Sequence, residues 1–320
     1  MQRIALLTSG GDAPGMNACI RAVVRKAIYH GLEVIGIKRG FNGFMEADMG
    51  PMKLGSVADI VQRGGTILRT ARSDQFLTSE GRAKAYENVK RFGIQGLIVI
   101  GGDGSFRGAR SFNREYNLPV VGVPATIDND IPGTEQTIGF DTAVNTAVEA
   151  INKIRDTATS HERAFIVEVM GRQSGFIALA AGLAGGAESI LIPERPFNYD
   201  EICEKLLQGF RRGKLHSIIV VAEGASGGLE VGRKIKERTG FDTKVTILGH
   251  LQRGGSPSAA DRILASRLGA GAVDLLIKGA TKMMVGVVSG DIASINLDDA
   301  LAQTRSIDLE MYSLAGILSF

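Results

Sequence analysis

Short apolar, β-branched runs alternate along this chain with longer stretches of helical periodicity. Strands that are apolar throughout must be buried on both faces, so the alternation predicts a mostly parallel sheet covered by helices on each side. In such α/β folds ligands bind at the carboxyl ends of the strands, which makes the following loops the places to look for function. The predicted strands are Ile4–Thr8, Val34–Ile37, Leu97–Ile100, Val120–Val123, Ala164–Val169, Ser189–Ile192, Ser217–Ala222, Val245–Leu248 and Val285–Val288. The predicted helices include Ala18–His30, Ser79–Phe92, Asp141–Thr157, Ser174–Ala184, Tyr199–Arg212 and Asp261–Lys278.

Length, charge and cysteine usage narrow the class of protein. A chain of 320 residues without a low-complexity linker favours two lobes in close contact. A net charge of +3 is too small to indicate nucleic acid or an anionic membrane as a partner. The two cysteines form no disulfide or metal-site pattern, and no apolar stretch approaches the roughly 20 residues of a membrane span. Because the amino end also lacks a signal-peptide pattern, we expect a cytoplasmic protein.

A glycine-rich loop, residues 8–17, follows the first strand and leads into a helix. Backbone N–H groups and the positive end of the helix dipole make such a junction suitable for an anion. The loop matches neither the dinucleotide pattern G-x-G-x-x-G nor a Walker loop. Phosphate binding and an ordinary turn both remain open.

A second glycine-rich loop, Gly101-Gly102-Asp103-Gly104-Ser105, follows the third strand. Asp103 offers the hard oxygen ligand that Mg²⁺ prefers, while the alternative is that it caps the following helix. Loops of this composition occur in several kinases, including those of NAD and diacylglycerol. The loop therefore indicates a superfamily and not a substrate.

Two carboxylates, Asp128 and Asp130, lie in the loop after the fourth strand, beside the hydroxyl of Thr126 and the amide of Asn129. Unpaired carboxylates are rarely buried without a reason. A carboxylate placed on a sugar hydroxyl is the orienting or base element that phosphoryl transfer requires. A calcium loop is the alternative, although it would need more oxygen ligands at closer intervals.

Basic side chains follow three further strands. Arg172 and Arg253 can clamp anionic oxygens through two parallel hydrogen bonds each. His250 alone would be read as structural, but it lies beside Arg253 and a double glycine, which favours a phosphate contact.

Taken together, the ordered motifs resemble those of the bacterial-type 6-phosphofructokinase family over essentially the whole chain. The motifs are TSGGDAPGMNA, GGTIL with TAR, GGDGS, TIDND, IGFDTA, RDTATSHER, EVMGR, AEG, LGHLQRGGSP and DRILASRLGA. The resemblance implies two Rossmann-like three-layer lobes with mostly parallel sheets and an active site in the cleft between them. The larger, ATP-binding lobe would comprise residues 1–138 and 251–305, and the smaller, fructose 6-phosphate-binding lobe residues 139–250 and 306–320. The implied reaction is phosphorylation of the sugar 1-hydroxyl by Mg-ATP.

The resemblance also implies roles for individual residues. Asp128 resembles the base, Thr126 and Arg172 the groups that hold the transferring phosphoryl, and Asp130 a supporting residue. Asp103 resembles the Mg²⁺ ligand. The implied ATP site comprises Gly11, Phe41 near the adenine, Arg72, Ser73, Gly102, Asp103, Gly104 and Ser105. The implied sugar-phosphate site comprises Thr126, Ile127, Asp128, Arg163, Met170, Gly171, Arg172, Glu223, Lys244, His250, Leu251, Gln252 and Arg253.

Two further implications concern assembly and regulation. Arg163 and Lys244 would reach the sugar phosphate of a neighbouring subunit, which implies a homotetramer. A regulatory site for ADP or phosphoenolpyruvate is also implied, and a solvated basic face is the alternative for it. Its residues would be Arg21, Arg25, Asp59, Arg155, Gly186, Glu188, Arg212, Lys214 and His216.

Three positions depart from the family pattern. Lys244 replaces a common arginine and loses its two-pronged hydrogen bonding, so we expect a weaker or less cooperative sugar site. Leu54 replaces a regulatory arginine of some members, and Ala125 replaces the usual glycine before TIDND.

The phosphoryl donor and the competing functions can be argued from the same residues. Pyrophosphate-using relatives typically carry aspartate at the position of Gly104 and lysine at that of Ala125, so this chain favours ATP. A non-catalytic regulatory paralogue should have lost acids or arginines of the site, yet Asp103, Asp128 and Arg172 are present. A lipid or NAD kinase would have no reason to carry TIDND or GHLQRGG.

Overall fold

The computed structural model describes residues 1–158, 163–214 and 216–319, which form two compact units. Residues 159–162, within the RDTATSHER motif, lie outside the described residues. The first unit comprises Met1–Thr126, Asp130–Asp141 and Arg253–Arg305. The second unit comprises Ile127–Asn129, Thr142–Gln252 and Ser306–Phe320.

The first unit contains a seven-stranded sheet in the order β11-β10-β5-β4-β1-β2-β3. Its five inner strands run parallel, and the edge strands β3 and β11 pair antiparallel with their neighbours. Two predictions are therefore confirmed: the sheet is mostly parallel, and its inner strands are apolar. The strands are β1 Arg3–Thr8, β2 Glu33–Ile37, β3 Met49–Met52, β4 Leu97–Gly101, β5 Val120–Pro124, β10 Met283–Val288 and β11 Asp291–Asn296.

Helices cover this sheet and supply its core. α1 packs against α9 so closely that a Cβ atom at Gly269 would lie 2.8 Å from the carbonyl oxygen of Cys19. An aromatic cluster that includes Phe44, Phe76 and Phe112 fills the core around β4 and β5. The helices of the first unit are α1 Met16–Tyr29, α2 Gly40–Glu46, α3 Ser79–Phe92, α4 Asp103–Tyr116, α9 Ala259–Ile277 and α10 Leu297–Ala302.

The second unit contains a four-stranded parallel sheet in the order β7-β8-β6-β9. Its strands are β6 Arg163–Val169, β7 Ser189–Leu191, β8 His216–Ala222 and β9 Asp242–Ile247. Its helices are α5 Phe140–Ala158, of which the first two residues belong to the first unit, α6 Phe176–Ala184, α7 Tyr199–Arg211, α8 Gly228–Thr239 and α11 Leu309–Leu318. Within the described part of the chain, no helix combines the length and apolar character needed to span a membrane.

The structure removes one alternative reading and corrects one predicted helix boundary. Asp103 is not a helix cap, because Gly102 occupies the N-cap of α4 and Asp103 is the first helical residue. Ser174 does not begin a helix, because α6 starts at Phe176 after a turn. Both polar side chains lie at strand-to-helix junctions and make contacts other than helix capping.

A buried asparagine on α1 organises the loop that carries the GGTIL motif. Asn17 is 1% exposed; its Nδ2 donates to the carbonyl oxygens of Arg63 (3.0 Å) and Gly64 (3.1 Å). Its Oδ1 accepts from the N–H of Ile67 at 2.8 Å. One side chain thus satisfies three backbone groups of a single loop.

Replacing Asn17 by alanine should lower the free energy of unfolding by about 2–4 kcal/mol, because buried backbone groups lose their partners. Urea denaturation would measure the change. Gln62→Ala, which removes one exposed hydrogen bond to the carbonyl oxygen of Asp59, is the control and should cost less than about 0.5 kcal/mol. Equal effects of the two variants would contradict the role given to Asn17.

Candidate active site

Three loops of the first unit meet at the carboxyl ends of inner strands of the large sheet. β5, β4 and β1 are adjacent and parallel, so their carboxyl ends lie side by side. A Cβ atom at Gly101 would lie 2.5 Å from the carbonyl oxygen of Ser9, and one at Gly102 would lie 3.8 Å from Cβ of Thr126. The side chain of Ser105 packs between the first two loops, with its Oγ 2.7 Å from a Cβ placed at Gly101 and 3.4 Å from one at Gly10. The glycines allow this close approach and leave a surface formed largely of backbone.

The second of these loops opens α4 and carries the predicted metal ligand. Asp103 is half-exposed and pairs with Arg107 one turn later, with 2.8 Å between Oδ2 and Nε. Hydrogen bonding to Asp103 raises the pKa of Arg107. A Cβ atom at Gly104 would have no heavy atom within 4 Å, so the protein leaves space beside the helix amino terminus. An anion placed there would gain from the helix dipole and the unpaired N–H groups.

The donor set fits Mg²⁺ carried by a nucleotide. Mg²⁺ is typically held by one or two carboxylates together with phosphate oxygens and water. Asp103 supplies one accessible carboxylate within the second glycine-rich loop. Among the described residues no cluster of three or more His, Cys, Asp or Glu could hold an ion by protein ligands alone. The arrangement therefore suits a metal that arrives with phosphates.

Arg253 lies on the first glycine loop. Its Nη1 donates to the carbonyl oxygen of Asp12 at 3.1 Å, and a Cβ atom at Gly11 would lie 2.2 Å from the same nitrogen. Only glycine fits at position 11 unless the guanidinium moves. The sequence assigned Gly11 to the ATP set and Arg253 to the sugar-phosphate set, and the structure brings these two residues into contact.

The remaining residues of the implied ATP set occupy different surroundings. Phe41 is 5% exposed and stacks on Phe76 with 4.1 Å between ring centroids, so it is largely a core residue. Arg72 is exposed, and its carbonyl oxygen accepts from Nδ2 of Asn42 at 3.1 Å. Ser73 Oγ accepts from the N–H of Phe76 at 3.3 Å. The adenine contact of Phe41 stays a prediction.

Asp130 belongs to the first unit and lies near the guanidinium of Arg305. Burial lowers the pKa of Arg305, and the carboxylates of Asp130 and Glu135 oppose that shift. Thr126, in the same unit, accepts a 2.6 Å hydrogen bond from Oγ1 of Thr137 on its carbonyl oxygen. Thr137 thus holds the first residue of the TIDND loop by a hydrogen bond, and the last residue lies near the charge of Arg305.

The second unit contains a buried carboxylate paired with an arginine. Asp128 is 1% exposed, and its Oδ2 lies 3.3 Å from Nε of Arg172, whose side chain is 57% exposed. The pair joins a carboxylate shielded from bulk water to a cation that can still reach a ligand. This is the arrangement expected of a base or orienting group beside a phosphate clamp.

Arg172 is presented by a strained turn after β6. Its φ of +52° lies in the left-handed region, and the φ of Gly171 is +141°. Glu223 Oε1 accepts hydrogen bonds from the N–H groups of Gly171 (3.2 Å) and Arg172 (2.8 Å). Oε1 of the fully buried Gln252 accepts from the N–H of Met170 at 2.8 Å. Glu223 and Gln252, both predicted for the sugar pocket, therefore hold backbone of the turn.

Arg163 and Lys244 share one carboxylate at the β6–β9 edge. Nε of Arg163 lies 2.8 Å and Nζ of Lys244 3.3 Å from Oδ2 of Asp242. The hydrogen bond to Lys244, followed by the charges of Lys244 and Arg163, holds the pKa of Asp242 below its usual value. Arg163 and Lys244, which the family resemblance assigns together to the sugar phosphate, thus lie close together. His250 and Leu251 are exposed.

The implied regulatory residues divide between the units. Arg21 and Arg25 lie on α1 and Asp59 in a left-handed turn of the first unit. In the second unit Arg155 donates to the carbonyl oxygens of Gly185 and, at 3.1 Å, Gly186. His216 begins β8.

A cavity of about 230 Å³ in the second unit gathers several of these regulatory side chains. Buried Glu188 forms a 2.5 Å ion pair with Lys214, and both line the cavity together with Arg212. Lys205 and Ser319 also line it, and Lys205 Nζ donates to the carbonyl oxygen of Glu188 (2.6 Å) and to Oγ of Ser319 (2.5 Å). Desolvation, together with the nearby Lys214, lowers the pKa of Lys205.

Sequence reasoning missed three residues near these sites: Ser174, Lys205 and Ser319. Lys205 could have been found, because it lies on α7 two helical turns before Arg212, the residue that caps the carboxyl end of this helix. Ser174 and Ser319 gave no such signal.

Comparisons with known proteins agree on one family. A family model described as phosphofructokinase matches residues 3–276. Proteins named ATP-dependent 6-phosphofructokinase from Halalkalibacterium halodurans and Halothermothrix orenii are 59% and 56% identical, covering all of both chains in each case. Phosphofructokinase from Saccharomyces cerevisiae superposes with a TM-score of 0.91 at 36% identity over 99% of this chain. The match spans about half, 47%, of that yeast chain.

Proposed function

The chain belongs to the phosphofructokinase family, and from that membership and the geometry above we propose that it is an ATP-dependent 6-phosphofructokinase. It transfers the γ-phosphoryl group of ATP to the 1-hydroxyl of fructose 6-phosphate and releases ADP and fructose 1,6-bisphosphate. The observation that carries the proposal is the buried Asp128 carboxylate paired at 3.3 Å with the exposed Arg172. This pair combines the two elements that phosphoryl transfer to an alcohol requires.

Each residue of the proposed site has a separate role in the phosphoryl transfer. The Asp128 carboxylate accepts the hydrogen bond of the sugar 1-hydroxyl, aligns its oxygen with the γ-phosphorus and takes the proton as the new O–P bond forms. The bond between the γ-phosphorus and the β–γ bridging oxygen breaks, and the electron pair leaves with ADP. Arg172 stabilises the negative charge on the transferring group without reorganisation of solvent. Thr126 and the glycine loops 9–12 and 101–105 hold the donor phosphates through hydroxyl and backbone N–H groups.

Mg²⁺ completes the proposed donor site, with Asp103 as its protein ligand. When bound, the ion neutralises phosphate charge and fixes the geometry of the phosphates.

Removing Mg²⁺ with excess EDTA should abolish turnover. Asp103→Asn should raise the Mg²⁺ concentration for half-maximal rate about tenfold or more, because the anionic ligand is lost. Arg107→Ala is the matched control, since it removes only the ion-pair partner of Asp103. Mg²⁺ titrations of the wild-type protein and the two variants, in an assay of fructose 1,6-bisphosphate formation, would measure the Mg²⁺ concentration for half-maximal rate. A shift in Arg107→Ala equal to that in Asp103→Asn would point to the ion pair and not to the metal.

ATP is the proposed donor in preference to pyrophosphate. Gly104 and Ala125 differ from the aspartate and lysine that typify pyrophosphate-using relatives. Relatives at 56–59% identity are named ATP-dependent, whereas a pyrophosphate-dependent enzyme from Marinobacter aquaeolei is 24% identical and is similar in fold.

The experiment that tests the function is a coupled assay of fructose 1,6-bisphosphate formation with Mg-ATP or Mg-pyrophosphate, each with and without ADP and phosphoenolpyruvate. Turnover with ATP alone is expected. Turnover with pyrophosphate would overturn the proposed donor, and none with either would favour a non-catalytic paralogue.

Regulation and assembly are part of the proposal. ADP and phosphoenolpyruvate are the proposed effectors, and the cationic cavity beside Glu188, Arg212 and Lys214 supports an anionic ligand there. A homotetramer, in which Arg163 and Lys244 reach the sugar phosphate of a neighbouring copy, is the proposed assembly.

Lys244→Arg should lower the half-saturating concentration of fructose 6-phosphate about two- to fivefold, because guanidinium can bind phosphate through two hydrogen bonds. Saturation curves at fixed ATP would measure it. Lys234→Arg on α8 makes the same chemical change elsewhere in the second unit and should have no effect. An unchanged curve for Lys244→Arg would remove this residue from the sugar site.

A further inference from the structure

The hydroxyl of Ser174 joins the two segments that carry the proposed catalytic pair. Ser174 is 8% exposed, and its Oγ lies 2.9 Å from the carbonyl oxygen of Gly171 and 3.0 Å from that of Asp128. The first contact closes the turn that presents Arg172. The second reaches the backbone of the residue proposed as base.

This hydroxyl is not used to cap a helix, which is the ordinary role of a serine at such a junction. α6 begins at Phe176, its N-cap is Gly175, and no side chain caps it. The N–H of Gly175 instead donates to Oε1 of Glu194 at 2.8 Å. The single hydroxyl proton of Ser174 is therefore shared between the carbonyl oxygens of Gly171 and Asp128, which both lie within hydrogen-bond distance of Oγ.

The turn needs such support because its backbone is strained. A non-glycine residue in the left-handed region costs of the order of 1 kcal/mol and persists only when its surroundings hold it. Arg172 is held on its N–H by Glu223 at 2.8 Å, and the turn is closed by a 2.9 Å hydrogen bond from the N–H of Ser174 to the carbonyl oxygen of Gly171. Gly171 allows the tight closure, because a Cβ atom there would lie 2.5 Å from the carbonyl oxygen of Ser174.

We propose that Ser174 is a positioning residue that sets the distance between Arg172 and Asp128 by tying the turn 171–174 to the backbone of Asp128. The inference rests on the proposed function, since its consequence is a correctly placed phosphoryl clamp and base. In this proposal Ser174 acts through Arg172 and not by contact with substrate. Small misplacements of reacting groups have large kinetic costs, so losing the tie should lower turnover more than substrate binding.

Ser174→Ala should reduce kcat about tenfold and leave the half-saturating concentrations of fructose 6-phosphate and ATP within about twofold of wild type. Ser174→Thr, which restores a hydroxyl, should recover most of the rate. Ser226→Ala removes a hydroxyl 3.4 Å from the Tyr199 hydroxyl in the same unit and should behave as wild type. Thermal unfolding of each variant checks that the fold is intact.

A double-mutant cycle with Arg172→Lys tests whether the effect of Ser174→Ala on kcat passes through Arg172. If Ser174 acts through Arg172, Ser174→Ala should cost less than about twofold in the Arg172→Lys background, since coupled residues are not additive. The same tenfold loss in both backgrounds would overturn the proposal, as would a Ser174→Ala enzyme with wild-type kcat. A wild-type protein without turnover on ATP and fructose 6-phosphate would instead reject the proposed function, so the two failures are distinguishable.

Discussion

Replacing Asp128 by asparagine should lower kcat about 10²- to 10⁴-fold and change the half-saturating fructose 6-phosphate concentration less than about threefold. Asparagine has the same shape but cannot accept the proton of the 1-hydroxyl. Asp128 is 1% exposed, so bulk water has poor access to take over the role. The loss should therefore fall on the chemical step.

Steady-state kinetics and equilibrium sugar binding together would measure this effect. Asp200→Asn is the matched control: it removes a carboxylate of the second unit that pairs with Arg238 at 2.9 Å, and its kinetics should be unchanged. A calorimetric measurement of sugar affinity separates loss of binding from loss of turnover. If Asp128→Asn kept more than about a tenth of the wild-type kcat, Asp128 would not be the base.

Replacing Gly104 by aspartate should reduce turnover with ATP at least about 100-fold without lowering the melting temperature. The backbone of Gly104 is not in the left-handed region, and a Cβ atom there meets no heavy atom within 4 Å. An acid in the first turn of α4 also interacts favourably with the helix dipole. The new carboxylate can thus be accommodated by the protein, while its charge repels the phosphates of the donor.

Gly104→Asn separates charge from size. We expect the amide to cost far less ATP turnover than the acid, because the two side chains have nearly the same volume. Equal losses would show that space and not charge excludes the donor. A Gly104→Asp enzyme with wild-type ATP turnover would mean that the phosphates of bound ATP do not lie near position 104.

The sheets were predictable because their strands are short, apolar and β-branched. Helices α2, α4, α8, α10 and α11 were not among the predicted ones. Two of them, α4 and α8, contain glycines, at 104, 108, 228 and 232, which oppose helix formation. They form because burial outweighs propensity: Phe106 and Phe112 on α4, and Val231 and Ile235 on α8, lie in the two cores. The edge strands β3 and β11 were also missed, and β3 contains Pro51, which a sheet tolerates at its edge.

For the site, the sequence predicted which loops carry chemistry but not how side chains support them. That the loops after β1, β4 and β5 meet follows from the parallel order of the strands. The contact between Arg253 and Gly11, and the bonds from Glu223 and Ser174 to the Arg172 turn, join residues that local patterns do not relate. Such contacts depend on tertiary packing.

The order of strands also affects how the protein is made. β5 ends at Pro124, but its partner β10 begins at Met283, and α9, which covers α1, begins at Ala259. During synthesis one edge of β5 therefore has no strand beside it until nearly 160 further residues have been added. The sheet of the second unit, whose strands all lie between Arg163 and Ile247, can form on the ribosome before that edge is covered. An exposed apolar strand edge pairs readily with other chains, so yield in a cell should depend on translation speed and on chaperones that shield nascent polypeptide.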